Sequence, residues 1–152
     1  MARFTHPAIS SGGATSEGTW DVEGGTTGPG AVQPTFDGDP MFYGHYTVVG
    51  NICHFGIDVD FDNITDFGSG QYYMKLPIPS HHNIIVSDGC LHDTSTGEQY
   101  SVLGHVLENS DIITLFTVGS NGRQDPFSSG VPVTLNVEDN FHISGTYEIV
   151  HS

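Results

Sequence analysis

The chain has 152 residues, enough for one domain, and sets 18 acidic residues against three cations, for a formal net charge of −15 at pH 7. A surface this negative repels phosphate backbones and anionic lipid headgroups, which excludes nucleic acid and membranes as expected partners and favours neutral, cationic or apolar ones. Twenty glycines and eight prolines among many Val, Ile, Phe and Tyr describe short strands broken by tight turns, and a chain of this length buries roughly 70% of its unfolded surface without a disulfide or metal staple.

Residues 1–40 are rich in Gly, Ser, Thr and Pro, with apolar residues standing singly at Phe4, Ile9, Trp20, Val22, Val32 and Phe36. The composition predicts an extended arm ahead of a body at 41–152, docked on a neighbour or folded onto its own domain. Phe4, Trp20 and Phe36 are its candidate partner-binding anchors. The first residues lack the apolar stretch of a secretory signal, which predicts synthesis in a host cytoplasm.

From Met41 onward, apolar residues alternate, as they do where successive side chains face opposite sides of a sheet. Cys53, Phe55, Ile57, Val59 and Phe61 share one face, while His54, Asp58 and Asp60 share the other. With 43–49 as its partner across a Gly50-Asn51 turn, this strand predicts a hairpin. Further strands are predicted at 71–76, 83–87, 99–107, 112–118, 131–137 and 141–150, with turns at Asp88-Gly89, Thr96-Gly97, Asn109 to Asp111, Asn121-Gly122 and Glu138 to Asn140. The fold class is all-β: an antiparallel β-sandwich with jelly-roll-like connections.

Little in the sequence points to catalysis. There is no G-x-S-x-G elbow, and Gly68-Ser69-Gly70 enters a strand rather than a phosphate-binding helix. Asp58, Asp60 and Asp62 are spaced like the first ligands of a calcium loop, but Asn63 stands where that loop needs Gly and Ser69 where it needs Glu. They read as solvent-facing carboxylates, with metal ligation, completed by Asp66 or another chain, as the alternative. His81, His82, Cys90 and His92 are zinc-compatible, yet their spacing matches no zinc motif; neighbouring histidines in a strand face opposite ways, and two in a loop after Pro79 read as surface groups. Cys53 and Cys90 read as buried, reduced thiols, with a Cys53–Cys90 bridge as the alternative. Nine histidines read as polar strand residues standing in for lysine, with pH-sensitive assembly as the alternative. The Asn63-Ile64-Thr65 sequon reads as incidental. No cofactor is expected.

Four features in order carry a family resemblance: Gly44-x-Tyr46 leading to Gly50, Gly68-x-Gly70-x-Tyr72 closing on Leu76-Pro77, Gly89-Cys90, and Gly145-Thr146-Tyr147-Glu148. Over residues 40–150 the chain resembles a β-sandwich module of tailed-bacteriophage virion proteins, found in head-decoration (cement) proteins and at fibre ends. Phe36 stands where that pattern expects Trp, and the segment after the second strand is Asp-rich rather than Thr/Gly-rich. The resemblance implies a non-enzymatic, commonly trimeric structural protein. Its first implied role is capsid decoration on the outer head surface, bound to the major capsid protein or neighbouring virion proteins. Its second is a receptor- or glycan-binding fibre tip, with Tyr72, Tyr73, His81 and His82 as the ligand-binding candidates. A polysaccharide-degrading enzyme is the third reading.

Overall fold

The computed structural model describes residues 15–150. Twelve strands follow in order: β1 (Thr15–Trp20), β2 (Gly24–Val32), β3 (Thr35–Phe36), β4 (Met41–Val49), β5 (Ile52–Asp60), β6 (Ile64–Asp66), β7 (Ser69–Lys75), β8 (Ile84–Asp93), β9 (Glu98–Val106), β10 (Ile112–Val118), β11 (Gln124–Pro126) and β12 (Asn140–Glu148). No helix occurs among the described residues, so the fold is all-β as the alternation predicts.

Every pairing is antiparallel. One continuous hydrogen-bonded path runs β1-β4-β5-β12-β8-β9-β10-β7-β2, with β11 on β10 and a separate β3-β6 pair. The sheet curls until its walls face each other across the core. Phe127 bridges them, its ring centroid 5.2 Å from that of Tyr72 on β7 and 5.3 Å from that of Phe141 on β12. The alternate residues Cys53, Phe55, Ile57 and Val59 of β5 are each no more than 4% exposed, whereas His54 and Asp58 between them face solvent.

The two ends of the path meet through sequence. Only Asp21, Val22 and Glu23 separate β1 at one edge from β2 at the other, a span of roughly 14 Å at most. Trp20 locks this corner. Its indole Nε1 donates to the Lys75 carbonyl at 3.1 Å, the Lys75 amide donates to the Glu23 carbonyl at 2.8 Å, and its ring packs edge-on to Tyr46. The ring also lies over Gly44, where a Cβ would sit 2.7 Å from it, so only glycine fits beneath. The Lys75–Glu23 ion pair at 3.1 Å sits at the surface and adds little.

The stretch 15–36 takes the second of its two expected forms, folded onto its own domain: β1 and β2 are the sheet's edge strands and β3 pairs β6. Two expectations are corrected. Residues 131–137 are not a strand. Val133 and Leu135 do turn inward, but Pro132 has no amide to donate, and the segment forms only an isolated bridge from Val131 to Ser128. Asp88-Gly89 is not a turn but an irregularity inside β8, where the register shifts between Val86 and Gly89. Glycine is needed there because a Cβ would meet the Val102 carbonyl oxygen at 2.5 Å and that of His142 at 3.1 Å.

Two carboxylates are buried with the core, Asp93 at 1% exposure and Asp139 at 0%. Asp139 accepts hydrogen bonds from the Thr94 amide at 3.1 Å and the Asn136 amide at 2.8 Å, tying the β8–β9 turn to the loop before β12. Asp93 accepts from the hydroxyl of Ser95 at 2.6 Å and from its amide at 3.0 Å. These bonds, the hydroxyl's above all, hold its pKa below the ordinary 3.8 against the opposing effect of burial.

Two predictions follow from the corner and the buried acids. Urea unfolding followed by circular dichroism is expected to show Trp20→Ala destabilised by about 3–5 kcal/mol, and Trp20→Phe by less because its ring still fills the corner. For Asp93 the folded pKa is depressed, so its stabilisation is present above about pH 4 and is lost as pH falls through the folded value. The deficit of Asp93→Asn relative to the parent is therefore expected to be largest at pH 7 and to shrink below pH 4 in parallel thermal melts.

Candidate functional site

The strand pleat sorts the outer wall as firmly as the inner one. Because β4, β5, β12 and β8 pair without slippage over this region, their outward residues form rows across the sheet. One row is Tyr43, Asp58, His142 and Cys90; the next toward Asp60 is Met41, Asp60, Asn140 and His92. On the other side lie His45, Gly56, Ser144 and Asp88, then Thr47, His54 and Thr146. The inward partners are apolar, so this face is polar by register rather than by local clustering.

Its groups are partly pre-positioned. His54 Nδ1 and Thr146 Oγ1 are 2.9 Å apart, and Ser144 Oγ donates to Asp88 at 3.2 Å. The His45 ring lies on Gly56, where a Cβ would meet it at 2.5 Å. Tyr43 is 56% exposed and borders a shallow depression of about 220 Å³ with Asp58, Asp60, Asn140 and His142. An open aromatic face flanked by carboxylates, an amide and an imidazole suits a polyhydroxylated ligand, which offers hydrogen-bond donors and acceptors around an apolar ring face. The enclosed space between the walls is different in kind: about 20 Å³, lined by Phe36, Phe42, Phe61, Tyr72, Met74 and Phe141 among others, and far below the few hundred Å³ of a ligand pocket.

The residues singled out from sequence fall in several places. Phe4 lies outside the described residues. Trp20, 5% exposed, and Phe36, half-buried with its ring 5.5 Å from that of Phe42, belong to this chain's own core, so neither is free as the anchor expected of it. Tyr72 is also buried: its hydroxyl donates to the Phe67 carbonyl at 2.8 Å and burial pushes its pKa upward, which removes its face from any ligand. Tyr73 is half-buried on β7 opposite Thr114, whereas His81 and His82 are exposed in the β7–β8 loop.

Asp58, Asp60 and Asp62 do not converge. Asp60 accepts from the Asp62 amide at 3.0 Å, and the negative charge of Asp60 raises the Asp62 pKa. Cys90 and His92 share the outer side of β8 and do not join His81 and His82. Among the described residues, the one group able to surround an ion is His81, His82 and Glu148. Tyr43 and His142 were missed in sequence because their meaning depends on which strands lie side by side, which alternation within one strand does not specify.

Both cysteines are free. Burial pushes the Cys53 thiol up to about 11, while Cys90 is half-buried on the outer wall. In native protein at pH 8, a disulfide thiol reagent is expected to label Cys90 and to leave Cys53 unmodified until the chain unfolds, as peptide mass mapping would show.

No protein-family model matches the chain, and no curated protein matches its sequence. Among solved structures, the crystal structure of the Dettilon tailspike protein is similar, with a TM-score of 0.60 at 19% identity over 90% of this chain and 24% of that one. The likeness is one of fold, and this chain spans about a quarter of the length of that protein.

Proposed function

We propose that the chain is a non-enzymatic structural module of a bacteriophage virion, carried on a tail spike or fibre, and that the outer face of β4, β5 and β12 contacts a host-surface glycan. The observation that carries the reading is the cross-strand row of Tyr43, Asp58 and His142 beside an open depression. The tailspike likeness over 90% of the chain supports the setting, as does the family resemblance of residues 40–150. The face is shallow and solvated, a geometry better suited to repeated weak contacts than to excluding water from a reacting bond. In a homotrimer, three such faces would add their affinities through avidity.

Capsid decoration on the outer head surface, with the major capsid protein as partner, is the second reading. Ile85 and Leu107, 64% and 69% exposed and diagonal neighbours across the β8–β9 register, favour it as an apolar docking point. Of the anchors first expected for that role, Trp20 and Phe36 are taken up by the core.

Glycan-array binding of the purified chain tests the leading reading. Wild type is expected to bind surface polysaccharides. Tyr43→Ala should weaken binding about tenfold, the scale of one lost aromatic face, while Ile85→Ser leaves it unchanged. Absence of glycan binding, together with hundreds of copies on a purified particle lost on Ile85→Ser, would replace the leading reading with the second.

A further inference from the structure

The loop between β7 and β8 carries its two histidines exposed, as expected of a loop after Pro79. Had His81 and His82 lain in a strand, their rings would face opposite ways; they lie instead in a bend, with ring centroids 4.4 Å apart. The bend is fixed by Ser80, which is fully buried. Its hydroxyl donates to the His82 carbonyl at 2.8 Å, its amide donates to the Ser110 carbonyl at 2.9 Å, and its carbonyl accepts from the Asn109 amide at 2.8 Å. The end of β12 is laced to the same loop: the His81 amide donates to the Glu148 carbonyl at 2.8 Å and the Val150 amide to the Pro79 carbonyl at 3.1 Å.

This scaffold brings a carboxylate to the histidines. His82 Nε2 is 3.2 Å from Glu148 Oε2, and one ligand atom from each of His81, His82 and Glu148 lies within 4.8 Å of the others. The second carboxylate oxygen, Oε1, accepts from Asn51 Nδ2 at 3.0 Å, a bond that orients the side chain from behind as outer-shell partners do in metal sites.

We propose that His81, His82 and Glu148 form a surface site for a divalent transition ion of the zinc class. Two imidazole nitrogens and one carboxylate oxygen make a three-ligand set for a tetrahedral ion, leaving the fourth position to water or to a group from a partner. With ligands about 2.0–2.1 Å from the ion, the edge of such a tetrahedron is about 3.3 Å, close to the 3.2 Å that separates His82 and Glu148; the His81 ligand atom lies within 4.8 Å of both. The nitrogen ligands favour Zn²⁺, Ni²⁺ or Cu²⁺ over Ca²⁺ or Mg²⁺. The chain's net charge of −15 raises the local concentration of any cation. An ion here would clamp the β7–β8 loop to the end of β12. This assignment stands independently of the glycan-binding reading.

The test is calorimetric titration of the full chain, stripped with EDTA and dialysed, with ZnCl₂, alongside thermal melts with and without zinc. Wild type is expected to bind one equivalent and to melt several degrees higher in zinc. His81→Ala, His82→Ala and Glu148→Gln should each weaken that equivalent at least tenfold and abolish the thermal shift, whereas His92→Ala should leave both intact. Melts in EDTA verify that each variant folds, and Co²⁺ absorption reports tetrahedral ligation by a folded chain. No saturable equivalent in wild type would overturn the assignment. So would zinc binding that survives all three substitutions, as it would if His6 or His151 held the ion.

Discussion

The fold depends on one corner. A sheet of this many strands has two edges that must be covered or brought together, and here they are successive in sequence, joined through Asp21, Val22 and Glu23. The indole of Trp20 holds them by filling the space over Gly44 and donating to the backbone of Lys75 on β7. That single side chain touches both walls, so the core seals only when the leading strand is in place. The same contact explains why β4 carries glycine opposite Trp20: any side chain at that point would displace the ring that closes the corner.

Curling the sheet also determines what the outer wall presents. Once the alternate apolar residues of β4, β5 and β12 are committed inward, the residues between them are carried outward in fixed rows, and the register brings Tyr43, Asp58 and His142 side by side. A rigid wall of this kind presents its groups without ordering a loop at the moment of contact, which lowers the entropic cost of binding. The β7–β8 loop and the end of β12 supply a second rigid element, in which the buried Ser80 orders two exposed histidines. The groups of both candidate sites thus sit on scaffolding fixed by the core.

Much of this was legible in the sequence. The β4–β5 hairpin and its Gly50 turn, the alternation of β5, and the strands at 112–118 and 141–150 follow from period two and turn chemistry. Three kinds of information were not. The Gly- and Thr-rich leading stretch has too few apolar residues to announce strands, because β1 and β2 are held mainly by backbone pairing with β4 and β7 and by one tryptophan. Gly89 reads as a turn residue, although its glycine is required by the close approach of two neighbouring backbones. The site residues were the least legible: stacking candidates chosen as aromatics near a strand end included Tyr72, which the core claims, while Tyr43 acquires its surroundings only from cross-strand register.

Native-state amide hydrogen exchange, resolved by peptide mass spectrometry, tests most directly whether the leading segment is part of the closed sheet. The account predicts that amides of β1 paired with β4 exchange slowly, within the protection range of β5 and β12, and that this protection falls together with theirs when the Trp20 corner is weakened. Exchange of β1 at the rate of an unstructured peptide, while β5 and β12 stay protected, would contradict it and return residues 15–20 to a loose arm.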